Sequence, residues 1–370
     1  MDSHRIFAMP DSYAGSEDGA FSYLEVGNPW RGAAPVVLTD FSSNCYKDEL
    51  RKLPQAFDSW PRLILRSRGT ILVGPRCAAF NTRARQFIVG SPLNWQLPNL
   101  QADVKEYSRL DITSMRFFER AVVIPAPGYR VYGHWLLDFM PRLLLARDYI
   151  NACKVPIPIV MKKVPKWAWQ FIEMLGLKDL IVEVGVDEPV LAEDAYFPLA
   201  PKEGYLCSHQ ALREAFDELM SHISDEPLSA YSTDDVIPKR LLVLRRKAPL
   251  AGNHRAIKEL LESYGFSAIF PETLSLQDQI RVYKKAEIVI GEDGSAMHNI
   301  GFCRPNAQVV IWSRADRINL RHISVAQAAG VNLTMIKSQV SDDGSYEIDM
   351  EKIEEIMDKL ISNVGPVHLL

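Results

Sequence analysis

The chain has 370 residues, 47% hydrophobic and 24% charged, a globular composition long enough for two domains. Its formal net charge of -4 excludes a generally basic nucleic-acid footprint, although a local phosphate site needs only a few basic residues. No uninterrupted run of eighteen apolar residues occurs, so no membrane-spanning helix is expected, and the first 21 residues lack the apolar core of a secretory signal.

Residues 1–110 offer only short strand-like runs, "PVVLTDF", "RLILRSRGTILVG" and "RQFIVG", broken by Gly, Pro and Asn. "DITSMRFFERAVVIPAPGYR" then reads as a strand ending in a turn. "VYGHWLLDFMPRLLLARDY" (131–149) follows as an apolar helix, with Pro141 expected to bend or restart it. His134 and Asp138, at i and i+4, share one face of it. Strands are expected at "VPIPIVM", "DLIVEVG" and "EDAYFPL", with a short helix at "PKWAWQFIEMLGL" between Pro165 and Gly176. "HQALREAFDELMSHI" is a periodic helix, and the polar, Pro-bearing "SDEPLSAYSTDDVIPK" suits a linker. From "KRLLVLRR" to "NLTMI" strands alternate with helices of about ten residues, the pattern of a parallel sheet covered on both faces. The acidic amphipathic "YEIDMEKIEEIMDKLISNV" closes the chain. The expected domains are an N-terminal α/β domain over 1–230, a Rossmann-like domain over 237–340 and a C-terminal helical segment over 341–370. The five cysteines, Cys45, Cys77, Cys153, Cys207 and Cys303, form no CxxC pair and read as buried thiols of a reducing compartment.

In such sheets ligands bind beyond the carboxyl ends of the strands. Arg245-Arg246-Lys247 ends the first strand of the second domain, with Asn253 shortly after. Arginines there can clamp a diphosphate bidentately, or form no more than a solvated basic turn. Gly294-Ser295-Ala296 follows "EIVIG" where a helix begins, a place where free backbone N–H groups favour an anion. Glu292 and Asp293 would repel one, and could instead cap the helix, meet a sugar hydroxyl or pair with a base. Glu272 suits a ribose hydroxyl, since Ser275 and Asp278 already form a capping box for the next helix. No GxGxxG or Walker A sequence is present, which argues against a conventional dinucleotide or P-loop site.

The segments "YGHWLLDFMPRL", "KRLLVLRRKAPLAGNHRAIKELLESYGF", "PETLSLQDQIRVYKKAEIVIGEDGSAMHNIGF" and "AQVVIW" together resemble glycosyltransferase family 61, over about residues 120–315. Bacterial polysaccharide enzymes are among its members. The resemblance implies a GT-B-like α/β fold of two Rossmann-like domains facing a central cleft, and inverting, metal-independent transfer from a nucleotide sugar without a cofactor. It implies that Arg245 and Arg246 meet the diphosphate, that Asn253 shares their pocket, and that Gly294, Ser295 and Ala296 form the helix-start cradle. Glu272, Gln279 and Asn299 stand at matching motif positions. The family pattern "GxHGAxLTN" is here "GEDGSAMHN", with Asp293 in place of the histidine, which bears on donor identity.

Inverting transfer needs a base for the acceptor hydroxyl and counter-charge for the departing nucleotide. Asp138 is the expected base, with His134 orienting it or meeting donor phosphate; the reverse assignment stays open. Asp138 also lies four residues before Arg142, the spacing of an ordinary helix salt bridge. Tyr132 and Trp135 are candidate stacking residues for a saccharide or lipid-linked glycan acceptor, with core packing as the ordinary role of Trp135. A UDP-linked donor and a cytoplasmic location, with peripheral membrane contact at its inner face, complete the expectation. A nucleotide-sugar epimerase or hydrolase, or a noncatalytic saccharide- or nucleotide-binding protein, are the alternatives.

Overall fold

The computed structural model describes residues 21–26, 30–31, 59–60, 62–73, 78–83, 86–88, 111–124, 128–185, 188–200, 202–203, 206–224, 237–246, 251–314, 319–340 and 345–364. The expected strand "PVVLTDF" and most of the expected linker lie outside these. The chain is α/β and forms two compact units, dividing near residue 204. Among the described residues no helix is long and apolar enough to cross a membrane.

The first unit is built on an eight-stranded sheet: β1 Phe21–Glu25, β2 Leu63–Val73, β3 Ala78–Asn81, β4 Gln86–Ile88, β5 Arg116–Val123, β6 Ile159–Lys162, β7 Ile181–Val184 and β8 Val190–Pro198. The strand order is β4-β3-β2-β8-β5-β6-β7, with β1 also on β2. Strands β8, β5, β6 and β7 are mutually parallel, whereas β2 runs antiparallel to β8, β1 and β3. This sheet is mixed, parallel through β8, β5, β6 and β7 and antiparallel from β2 outward. The reason is local: β2 is eleven residues long and enters a hairpin with β3, a connection only antiparallel strands can use. The valines and alanines of one face of β5, β6, β7 and β8 pack with Leu65, Leu72 and Phe197.

The crossover from β5 to β6 carries the expected helix. Tyr132–His134 is α-helical, Trp135–Phe139 is a π-helical turn, and α1 runs from Met140 to Cys153. Met140 N–H bonds to the carbonyl of Trp135, five residues back. Pro141 explains the wide turn: it has no N–H, and its ring crowds the carbonyl four residues before it. The turn ends as Pro141 enters the first positions of α1, so the proline restarts the helix rather than ending it. A short helix, α2 (Trp169–Met174), follows β6.

The second unit holds a five-stranded parallel sheet: β9 Arg240–Val243, β10 Ser267–Ile269, β11 Ile288–Glu292, β12 Gln308–Ser313 and β13 Asn332–Lys337, in the order β10-β9-β11-β12-β13. Every neighbouring pair is parallel, as the alternation of strands and helices predicts. On one face α4 (His254–Ser263) and α7 (Met350–Val364) bury Ile257, Leu261, Ile353 and Met357 against Leu242, Ile290, Val310 and Trp312. The other crossovers are α5 (Leu276–Lys285), the 3-10 helix Ser295–Phe302 and α6 (Arg321–Ala329). Helix α3 (His209–Ser221) falls in this unit, since the division near residue 204 precedes it. Its Phe216 meets Phe302 edge-on and lies so close over Gly301 that a Cβ there would collide with the ring.

Candidate functional site

In the order β10-β9-β11-β12-β13 the chain first steps one way from β9 and then returns to the other side, so the topological switch lies between β9 and β11. Val243 pairs with Gly291 there, and the next residues of both strands form the site. Gly291 permits this close pairing, because a Cβ on it would lie 2.9 Å from the Val243 carbonyl oxygen. The Arg245 guanidinium lies over Gly294, where a Cβ would come within 2.6 Å of Nη1. Nη2 of Arg245 stands 3.5 Å from Oε1 of Glu292. The adjoining cavity, lined by Leu242, Leu244, His254, Glu292 and Trp312 among others, is only about 10 Å³, room for one water.

Glu272 accepts a hydrogen bond from the Arg246 backbone N–H at 2.7 Å, while the Arg246 guanidinium lies over the Phe270 ring, 5.5 Å from its centroid. This carboxylate therefore holds the arginine loop instead of standing idle. The Asn253 amide is committed at both ends to the backbone of Ile348, donating to its carbonyl at 2.7 Å and accepting from its N–H at 3.2 Å. Asn299 and Gln279 are buried and bonded to each other at 2.7 Å, tying the 3-10 helix to α5. Ser295 and Ala296 are half-buried at the start of the 3-10 helix, and the Ala296 carbonyl accepts from Tyr283 Oη–H.

Asp293 points to partners that sequence reasoning did not find. Its Oδ1 accepts from His322 Nε2–H at 2.7 Å and from Asn319 at 3.1 Å. Burial alone would raise its pKa, but the bonds from His322 and Asn319 hold it below the usual carboxylate range. His322 is fully buried, and its ring lies 4.9 Å from that of His298. No local pattern marks His322, because its partner is 29 residues away in the chain. Glu292 behaves differently. Desolvation pushes its carboxyl up to about 6 despite the opposing charge of Arg245.

In the first unit, His134 Nδ1 and Asp138 Oδ2 are directly hydrogen-bonded. The pair lies in the first turns after β5, beside the switch between β8 and β5 in the parallel part of the sheet. The His134 side chain is 30% exposed and that of Asp138 only 10%. Gly128, at φ +80, lets the imidazole pack against the preceding turn, where a Cβ would sit 2.6 Å from Cδ2. Arg142 is buried beside Asp138; burial lowers its pKa while the Asp138 charge opposes that shift. Trp135 takes the core-packing role that is ordinary for it. It is fully buried, stacks on Phe139 at 4.6 Å and donates its Nε1–H to the Tyr129 carbonyl at 2.7 Å. Tyr132 is half-buried against Trp167 and Phe171. Among the described residues no group of three or more His, Cys, Asp or Glu side chains is arranged to hold a metal ion.

The family model described as Glycosyltransferase 61 matches residues 132–310 of the chain. The matched segment starts two residues before His134 and ends inside β12, so it contains both the His134–Asp138 pair and the Arg245–Gly294 site. No curated protein matches the chain.

Proposed function

We propose that the chain is a family 61 glycosyltransferase that moves a sugar from a nucleotide-sugar donor to a glycan or lipid-linked saccharide acceptor with inversion at the anomeric carbon. One observation carries the reading: the match to glycosyltransferase 61 spans the two residue groups that such a reaction needs. Arg245 and Arg246 receive the diphosphate, and Gly294 leaves the Arg245 guanidinium lying directly on the backbone at the switch point. A UDP-linked donor is the first class to test.

We assign the proton acceptor to His134 and its orientation to Asp138, the reverse of the order favoured by the sequence. The Asp138 carboxylate accepts from Nδ1–H, which leaves the lone pair on Nε2 of the more exposed partner. In the proposed step Nε2 takes the acceptor hydroxyl proton as that oxygen bonds to the anomeric carbon. The bond from this carbon to the diphosphate breaks with its electron pair leaving on the diphosphate. Two guanidinium groups meet that charge, so the route is metal-independent and uses no cofactor. Tyr132 is kept as the acceptor-side aromatic. Among the described residues Cys153, Cys207 and Cys303 form no disulfide, in keeping with a reducing, cytoplasmic site of action, with peripheral contact where an acceptor is lipid-linked.

The test is a panel of nucleotide sugars assayed for binding and transfer. Asp138→Asn and His134→Ala should retain donor binding and lose transfer. Wild-type turnover in both variants contradicts the assignment. Release of free sugar or an epimerised donor without acceptor would point to the hydrolase or epimerase alternatives.

A further inference from the structure

The Glu292 carboxylate stands where a diphosphate-binding site should least tolerate one. It ends the central strand β11, beside the switch point, and meets the guanidinium of Arg245. Tyr346 Oη–H donates to its Oε1 from the short strand β14 (Tyr346–Glu347), which fixes the carboxylate in place. The adjoining cavity, lined by Arg245 and Glu292 among others, holds about one water. Other charged or titratable groups face the same carboxylate or its partners. His254 and Lys258 of α4 line the cavity, Asp293 follows in the chain, and the Arg314 guanidinium lies over the Tyr346 ring at 5.7 Å.

We propose that Glu292 is the internal counter-ion of Arg245, which a diphosphate must displace, so that this carboxylate sets how strongly the site binds anions. The inference rests on the reading of Arg245 as a donor-binding arginine and adds a specificity-determining residue to it. Two negative groups cannot share one guanidinium without competition, and the held carboxylate is already in contact. Because desolvation raises the Glu292 pKa to about 6, protonation near that pH removes the competitor. Affinity for the donor diphosphate then rises as pH falls through this range, and the carboxylate neutralises Arg245 when no donor is bound.

The experiment uses the full chain and a panel of nucleotide diphosphate sugars, whose diester diphosphates keep constant charge from pH 5.5 to 7.5. Binding is measured by calorimetry for wild type, Glu292→Gln and Arg245→Ala. Glutamine keeps an acceptor for Tyr346 and removes the charge. It should tighten binding about fivefold at pH 7.5, the scale of one partly exposed ion pair. Wild type should gain about the same factor at pH 5.5, and Glu292→Gln should lose that gain, any residual slope reporting His254. Binding that is unchanged or weakened in Glu292→Gln overturns the inference while leaving the donor reading intact. Failure of every sugar to bind either protein overturns the donor reading and the competition with it. A ligand-free check is the carbon NMR titration of Glu292, whose midpoint should rise in Arg245→Ala; an unmoved midpoint overturns the pairing itself.

Discussion

At the scale of single residues, what a side chain can do is decided by which of its atoms are already occupied. Arg245 lies over Gly294 and touches Glu292, so truncating it removes a charged partner for the donor. Arg245→Ala should weaken nucleotide-sugar binding by roughly tenfold to a hundredfold, the worth of a charge-assisted hydrogen bond, measured by calorimetry. Glu292 also carries a stability signature. Its folded pKa of about 6 lies above its ordinary 4.5, so proton binding favours the folded state below about 4.5 and that contribution is lost as pH rises through 6. Wild type should therefore lose stability relative to Glu292→Gln between pH 4.5 and 6 and change little above, as followed by urea unfolding. The i, i+4 spacing made the His134–Asp138 pair legible in the sequence. It did not reveal which atoms bond, and that contact is what turns the preference from Asp138 toward His134 as the base. Asn253 stood out in the sequence by position alone, and its bond to Ile348, 95 residues further on, left no local mark.

At the scale of elements, helix periodicity and strand alternation were readable wherever an element is amphipathic or bounded by Gly and Pro. Strands β9, β11 and β12 and helices α4 and α5 are examples. The π-helical turn at Trp135–Phe139 was not, because a wide turn depends on how Pro141 is accommodated, and proline alone signals only a bend or restart. The seating of α3 was equally hidden. Its apolar stripe says that a face is buried without saying against what, and the partner is the 3-10 helix of the second unit. Gly301→Ala tests this contact directly. The added methyl would enter the Phe216 ring and should cost about 1–3 kcal/mol in denaturant unfolding, typical of overpacking. Stability equal to wild type would show that the two elements separate easily.

At the scale of the molecule, the second unit was the more legible half. A parallel sheet imposes crossover helices that write a repeating pattern into the chain. The first unit mixes four parallel strands with antiparallel additions from β1 to β4, joined through the pairing of β2 with β8, which spans more than a hundred residues and leaves no local mark. The two residue groups of the proposed reaction lie in different units, so their losses should differ in kind. Removing Arg245 should weaken donor binding and transfer together, whereas altering the His134–Asp138 pair should abolish transfer alone. The most direct test is transfer itself: wild type, His134→Ala and Arg245→Ala incubated with nucleotide sugars and saccharide acceptors, with the anomeric configuration of the new bond read by proton NMR. The account predicts a product of inverted configuration from wild type, none from His134→Ala, and strongly reduced product from Arg245→Ala at sub-saturating donor. A retained configuration, or undiminished product from both variants, would contradict it.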